Sequence, residues 1–265
     1  MKKAYLDLPE GQVHYVTEGQ GPALLLFHQA PMSGEEWTDI IPLLSAHFTV
    51  FAPDMMGHGN SDNPAREYEM ADYVATTLRF MDALGIDQAI LCGNHSGAAL
   101  ATAIAVTAPE RVQKIIVSCE MLISAEQIQT FLASLKDKPL SRELPMDEGG
   151  QFLVDAWDRY KALAPTSAAD KRFLPFMIGQ RSRLRPFDAH FAIFRWMTQA
   201  DWMSQVACPT LVIGAENDLF FSQELLESTP SRVSKGSYTT VKDGGALSTF
   251  EQANQWAEAI LAFVR

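Results

Sequence analysis

Residues 90–103 read ILCGNHSGAALATA. A short apolar run, Ile90 to Cys92, ends in Gly93, and a run of small helix formers begins at Gly97. A strand that passes into a helix this quickly brings its own backbone together, so the positions two before and two after the apex must be small. With His95 at the apex, those positions are Gly93 and Gly97. With Ser96 there, they become Asn94 and Ala98, and Asn94 is too large. The spacing therefore puts His95 at the apex and Ser96 at the first turn of the helix, where main-chain N–H groups lack partners within the helix.

Composition allows this turn a large fold around it. The chain has 265 residues, 47% hydrophobic and 20% charged, enough to bury a sizeable core in one large domain or a domain with an insertion. A net charge of −11 argues against nucleic acid or an anionic membrane as partner. Cys92, Cys119 and Cys208 lie in or beside apolar runs at spacings that match no zinc site, and read as reduced core thiols. No apolar leader follows Lys2 and Lys3, and no run approaches about 18 apolar residues. The expectation is a cytoplasmic protein, monomer or homodimer, acting on a small molecule without nucleic acid or membrane.

Strand and helix signals alternate outward from the turn. QVHYVTEG alternates like a half-buried edge strand, whereas PALLLFH and FTVFAPD are continuous apolar runs, as strands covered on both faces require. Helical spacing is read in GEEWTDIIPLLSAH and, more strongly, in MADYVATTLRFMDALGI, which Gly85 closes. AILCG, VQKIIVSCE and PTLVIGA read as further strands, SYTTVKDGG as the last, FFSQELLEST as a helix, and FEQANQWAEAILAFVR as the terminal one. Repeated strand–helix units predict a mostly parallel sheet of about eight strands with helices on both faces. Residues 121–205 break the rhythm: helical throughout, rich in Met, Phe and Trp. They are expected to form an inserted lid on a core made of 1–120 and 206–265.

Five ordered stretches resemble the α/β-hydrolase fold family. LLLFHQAPMSGEEW resembles its first buried strand and oxyanion loop, and APDMMGHGNSD (52–62) its Asp-x-x-Gly-His-Gly-x-Ser loop. The stretch from Ile86 to Ser118 resembles its nucleophile elbow, PTLVIGAENDLFF the strand and loop of its catalytic acid, and VKDGGALSTFEQ its catalytic-histidine loop. The resemblance implies that fold, with Asp218 as the acid and the Ser96 N–H as half of an oxyanion hole. It also exposes two departures. The nucleophile slot holds His95, and the histidine slot holds Ala246, with no histidine after His190. The usual Ser–His–acid relay needs an imidazole beside a hydroxyl, and this chain lacks that arrangement.

The departures are complementary in size. An imidazole at 95 is long enough to enter the space a histidine at 246 would fill, which relocates a His–Asp pair onto His95 and Asp218. Such a pair acts as a general base on water or on an acidic C–H. Gln29, standing where the family has glycine, projects an amide that suits a substrate carbonyl or water, or else packs under the lid. His28 and Met32 complete the oxyanion and substrate-binding candidates, and Glu120, at the end of a strand, is an alternative acid. His58 reads as a loop-packing residue. Arg181, Arg183 and Arg185 could meet a substrate carboxylate or simply face solvent. Met32, Trp37, Phe131, Trp157, Phe176, Met177, Phe194 and Trp196 read as pocket lining or ordinary packing. No glycine-rich phosphate loop and no metal-ligand cluster is present, so no cofactor, nucleotide or metal is expected. The expected function is cofactor-independent action on a small ester, lactone or activated carbonyl compound, with His95, paired with Asp218, as general base or nucleophile. A lyase or isomerase in the same pocket, and a non-catalytic ligand binder on a hydrolase scaffold, remain as alternatives.

Overall fold

The computed structural model describes residues 1–118, 126, 129–130, 133, 145–220, 227–228, 231 and 233–265. Glu120, Cys119, Phe131 and most of the FFSQELLEST stretch lie outside the described residues. Eight strands form one sheet: β1 (Lys2–Leu8), β2 (Gly11–Glu18), β3 (Ala23–Phe27), β4 (Thr49–Pro53), β5 (Ala89–Gly93), β6 (Val112–Ser118), β7 (Thr210–Ala215) and β8 (Gly236–Val241). Their order is β1-β2-β4-β3-β5-β6-β7-β8. β1 pairs antiparallel with β2 and β2 with β4; every other pairing is parallel. QVHYVTEG is thus not the edge: Lys2–Leu8 alternates in the same way and covers it.

The parallel strands divide their side chains between two faces by simple alternation. Leu25, Phe27, Leu91, Ile115 and Val117 join a core beneath α2 (Met70–Ala83), α3 (Ser96–Thr107) and α6 (Ala189–Met197). Leu24, Leu26, Ile90, Cys92 and Ile116 join a second core with Trp37, Ile40, Leu44 and Trp256. Both faces are covered, which is why these strands read as continuous apolar runs rather than alternating ones.

The single helix expected over 34–47 is instead a 3₁₀ turn, Gly34–Trp37, and a one-turn helix, α1 (Ile41–Leu44). Pro42 sits in the first turn of α1, where its missing N–H does no harm, but it could not continue a helix arriving from Gly34. Gly85 does close α2, at φ +67°. Described residues of the 145–205 segment are helical or turn: α4 (Gln151–Leu163), α5 (Ala169–Arg181), α6 and two 3₁₀ turns. The segment docks on the core through Tyr160, Phe176 and Ile178, which cluster with Met32, Leu247 and Phe250. The terminal stretch forms α7 (Ser248–Glu251) and α8 (Ala253–Val264). Among the described residues no helix is long and apolar enough to cross a membrane.

Candidate active site

β5 ends at Gly93 and α3 begins at Ser96, leaving His95 at the apex with φ 46° and ψ −115°. Residues with a Cβ seldom adopt such a backbone, and it persists only when surrounding structure fixes it. Here the flanking glycines are mandatory. A Cβ on Gly93 would strike the Gly97 carbonyl, and one on Gly97 would strike the Phe27 carbonyl. The His95 main-chain N–H donates to Ser118 Oγ at 2.9 Å, and its carbonyl accepts from Ala98 at 2.8 Å.

The β7 end brings Asp218 to this apex. His95 Nε2 lies 3.2 Å from Asp218 Oδ2, with both side chains almost entirely buried. The other oxygen, Oδ1, accepts from the Phe220 N–H at 2.8 Å, which fixes the carboxylate's orientation. The Phe220 ring meets the His95 ring edge to face, 5.9 Å between centroids. Ala246 is buried and its N–H donates to the Leu163 carbonyl at 3.0 Å, so the end of α4 lies on the loop that carries it.

The oxyanion-loop candidates are committed to other partners. Gln29 does not turn its N–H to the pocket. That N–H donates to Glu36 Oε2 at 2.7 Å, and its amide reaches Glu36 Oε1 at 3.4 Å and the Ala246 carbonyl at 3.3 Å. The buried Glu36 carboxylate, seven residues on, is a strong charge-assisted acceptor for that N–H. The neighbouring N–H, that of Ala30, donates to Ser96 Oγ at 2.5 Å. Ser96 is wholly buried, and its own N–H has no acceptor among the described residues. His28 uses both ring nitrogens inside the loop: Nε2 accepts from the Met55 N–H at 3.0 Å, so Nδ1 is the donor to the Gln29 carbonyl at 2.9 Å. Burial holds its pKa below the ordinary histidine range. Met32 is buried in the apolar cluster with Tyr160 and Phe176.

The remaining candidates are tied to structural partners as well. Burial pushes His58 down to about 3, with the nearby His28 adding to the effect. Arg181 pairs with Glu35, Arg185 donates to the Gly59 and Ser61 carbonyls and to Asn63, and Arg183 lies over the Phe152 ring. Trp37, Phe194 and Trp196 are buried in the two main cores, and Met177 is exposed. Glu120, the alternative acid, lies outside the described residues.

Glu36, which the sequence reading passed over, is the polar centre of the region. It is almost completely buried and accepts from Asn94 Nδ2 at 2.6 Å and Thr249 Oγ1 at 2.9 Å, besides Gln29. Burial pushes its pKa up to about 7, against the pull of the Asn94, Gln29 and Thr249 donors and of nearby His95. Its only sequence signal was a charge beside Trp37 in an otherwise apolar-spaced stretch.

Comparison with known proteins agrees with this fold. The profile of the alpha/beta hydrolase fold matches residues 22–253. The chain belongs to that family. Haloalkane dehalogenase 2 of Mycobacterium tuberculosis is 33% identical over 202 residues, 71% of this chain and 70% of the relative. The (E)-2-((N-methylformamido)methylene)succinate hydrolase of Acinetobacter baylyi is 25% identical over 258 residues, 94% of this chain and 93% of the relative. Among solved structures, the enol-lactonase of Burkholderia xenovorans superposes with a TM-score of 0.76 at 19% identity, covering 98% of this chain and 99% of that one. The family and its named hydrolases make this chain a hydrolase-family enzyme.

Proposed function

We propose that the protein acts, without a cofactor, on a small ester, lactone or activated carbonyl compound, with His95 as general base and Asp218 as its partner. The observation that carries this reading is the 3.2 Å approach of His95 Nε2 to Asp218 Oδ2 across a site where residue 246 is alanine. A carboxylate facing Nε2 favours the tautomer with its proton there, which leaves the lone pair on Nδ1 as the basic position. The charge that forms on the ring when Nδ1 takes a proton is stabilised by the same carboxylate. Water activated in this way attacks the carbonyl. The apex offers no hydroxyl, so any covalent intermediate would be carried by the His95 imidazole acting as nucleophile. The hydrolytic relatives support a hydrolytic reaction, and the described residues 145–205, docked through Leu163 on the Ala246 loop, belong to the 121–205 lid we assign to this site.

One observation favours a second reading, a lyase or isomerase in the same pocket. The Ala30 N–H, which belongs to the oxyanion loop, is already held by Ser96 Oγ. Proton abstraction from carbon leans less on that donor than formation of a tetrahedral oxyanion does, because an enolate shares its charge between carbon and oxygen. The test measures turnover of p-nitrophenyl acetate, a simple γ-lactone and a β-diketone by the wild type, His95→Ala, Asp218→Asn and the double variant His95→Ser with Ala246→His. The reading expects both single variants to fall by about 10²-fold or more on whichever compound the wild type turns over. Esterase activity gained by the double variant alone identifies the parent as a non-esterase, the second reading. Unchanged turnover in Asp218→Asn removes the pair and makes Glu120 the acid to test.

A further inference from the structure

Glu36 never reaches the pocket, yet it is bound into the elbow by bonds whose direction can be derived. The chain starts at a main-chain N–H, that of His95, which can only donate. Ser118 Oγ accepts it, so the Ser118 hydroxyl hydrogen is free to donate, and it does so to Asn94 Oδ1 at 2.5 Å. With its oxygen engaged, Asn94 must present its NH₂ on the other side, and Nδ2 donates to Glu36 Oε1 at 2.6 Å. Glu36 thus ends a one-way run of hydrogen bonds that begins at the strained residue.

The same carboxylate gathers two further segments. The Gln29 N–H reaches Oε2 and the Thr249 hydroxyl reaches Oε1. Gln29 stands in the loop after β3, Asn94 in the elbow, and Thr249 three residues beyond Ala246. One carboxylate therefore ties together the loop after β3, the elbow and the short helix α7 beyond Ala246.

We propose that Glu36 is the positioning residue of this site: its ionised carboxylate ends the hydrogen-bond chain from the His95 main chain and clamps the Gln29 loop and helix α7 at Thr249, holding the His95 ring against Asp218. The proposal rests on the reading of His95 and Asp218 as the reacting pair. It requires the anion. Both carboxylate oxygens face donors, so a proton on Oε2 would oppose the Gln29 N–H and one on Oε1 would oppose the Asn94 NH₂. Protonation therefore breaks the clamp at one link. The titratable groups that face Glu36 among the described residues are His95 from the elbow and the buried Cys92 thiol from β5. With Glu36 pushed up to about 7 by burial, the clamp loosens below neutrality and tightens above it.

The main-chain amide of His95 reads this directly, without a substrate. Its ¹⁵N and ¹H shifts are followed from pH 5 to 9 in the wild type, Glu36→Gln, Thr249→Val and Asp218→Ala. The wild-type amide is expected to titrate with a midpoint of about 7, and that step is expected to vanish in Glu36→Gln. Thr249→Val, which removes one donor from the anion, should move the midpoint upward, and it stands alone should Glu36→Gln not fold. An amide that titrates identically in the wild type and Glu36→Gln, or a midpoint unmoved in Thr249→Val, overturns the proposal. Asp218→Ala keeps the arms separate. Loss of the amide step in Glu36→Gln, together with a His95 Nε2–H proton signal that ignores Asp218→Ala, supports the clamp and sinks the reacting pair instead.

Discussion

His95 combines a costly backbone with a costly side chain. A positive φ of 46° at a residue with a Cβ costs about 1–3 kcal/mol, and the Ser118 and Ala98 bonds hold the residue in place nonetheless. His95→Gly should therefore be more stable than His95→Ala by about 1 kcal/mol, as read by urea denaturation, while both lose turnover. A reversed order would mean that the elbow is not strained. Gly97→Ala should cost at least about 3 kcal/mol or fail to fold, since its methyl lands on the Phe27 carbonyl. These glycines were legible because their requirement is local: the turn's geometry lies within five residues of sequence. Glu36 was not. Its partners come from three distant segments, at 29, 94 and 249, and a glutamate beside a buried tryptophan reads as a solvated helix face until those segments are assembled. Nor was the direction of the Gln29 N–H legible, because that too depends on Glu36.

Elements were readable where burial is symmetric. β3, β5, β6 and β7 are covered on both faces and announce themselves as apolar runs, whereas Gly34 and Pro42 divide what helical periodicity alone takes for one helix. The face formed there is completed from the far end of the chain. Trp37 and Trp256 meet edge to face at 5.7 Å, both essentially buried. Trp256→Ala should destabilise by about 3–5 kcal/mol in chemical denaturation. A loss below about 1 kcal/mol would mean that α8 does not seal this core. Across the helical segment, Gly179 gives way to the Tyr160 hydroxyl, on which an added methyl would fall. Gly179→Ala should thus lower the melting temperature by separating α4 from α5, and leave the His95–Asp218 contact in place.

For the whole molecule, two buried carboxyl groups shape stability against pH in opposite senses. Glu36 is raised from 4.5 to about 7, so between those values the native state holds a proton that the unfolded chain has released. Stability therefore falls as pH rises through that window, by up to about 3 kcal/mol, and levels off above it. Asp54 is lowered: burial works against it, but the hydrogen bond from His14, the nearby His28, and the Asn60 and Gly34 N–H groups outweigh that. Its contribution is present above the ordinary aspartate pKa and is lost as pH falls through the lowered one. Urea midpoints from pH 3 to 8 should show a maximum between the two regimes, with the upper slope missing in Glu36→Gln. The fold brings residues 95 and 218, each just past the end of a different strand, to within 3.2 Å of one another, the approach on which the proposed pairing rests. Nitrogen NMR of ¹⁵N-histidine-labelled protein tests that most directly by reporting which ring nitrogen of His95 carries the proton. A slowly exchanging, downfield Nε2–H proton on His95 is expected in the wild type and its loss in Asp218→Ala; the same signal in both proteins would contradict the pairing of His95 with Asp218.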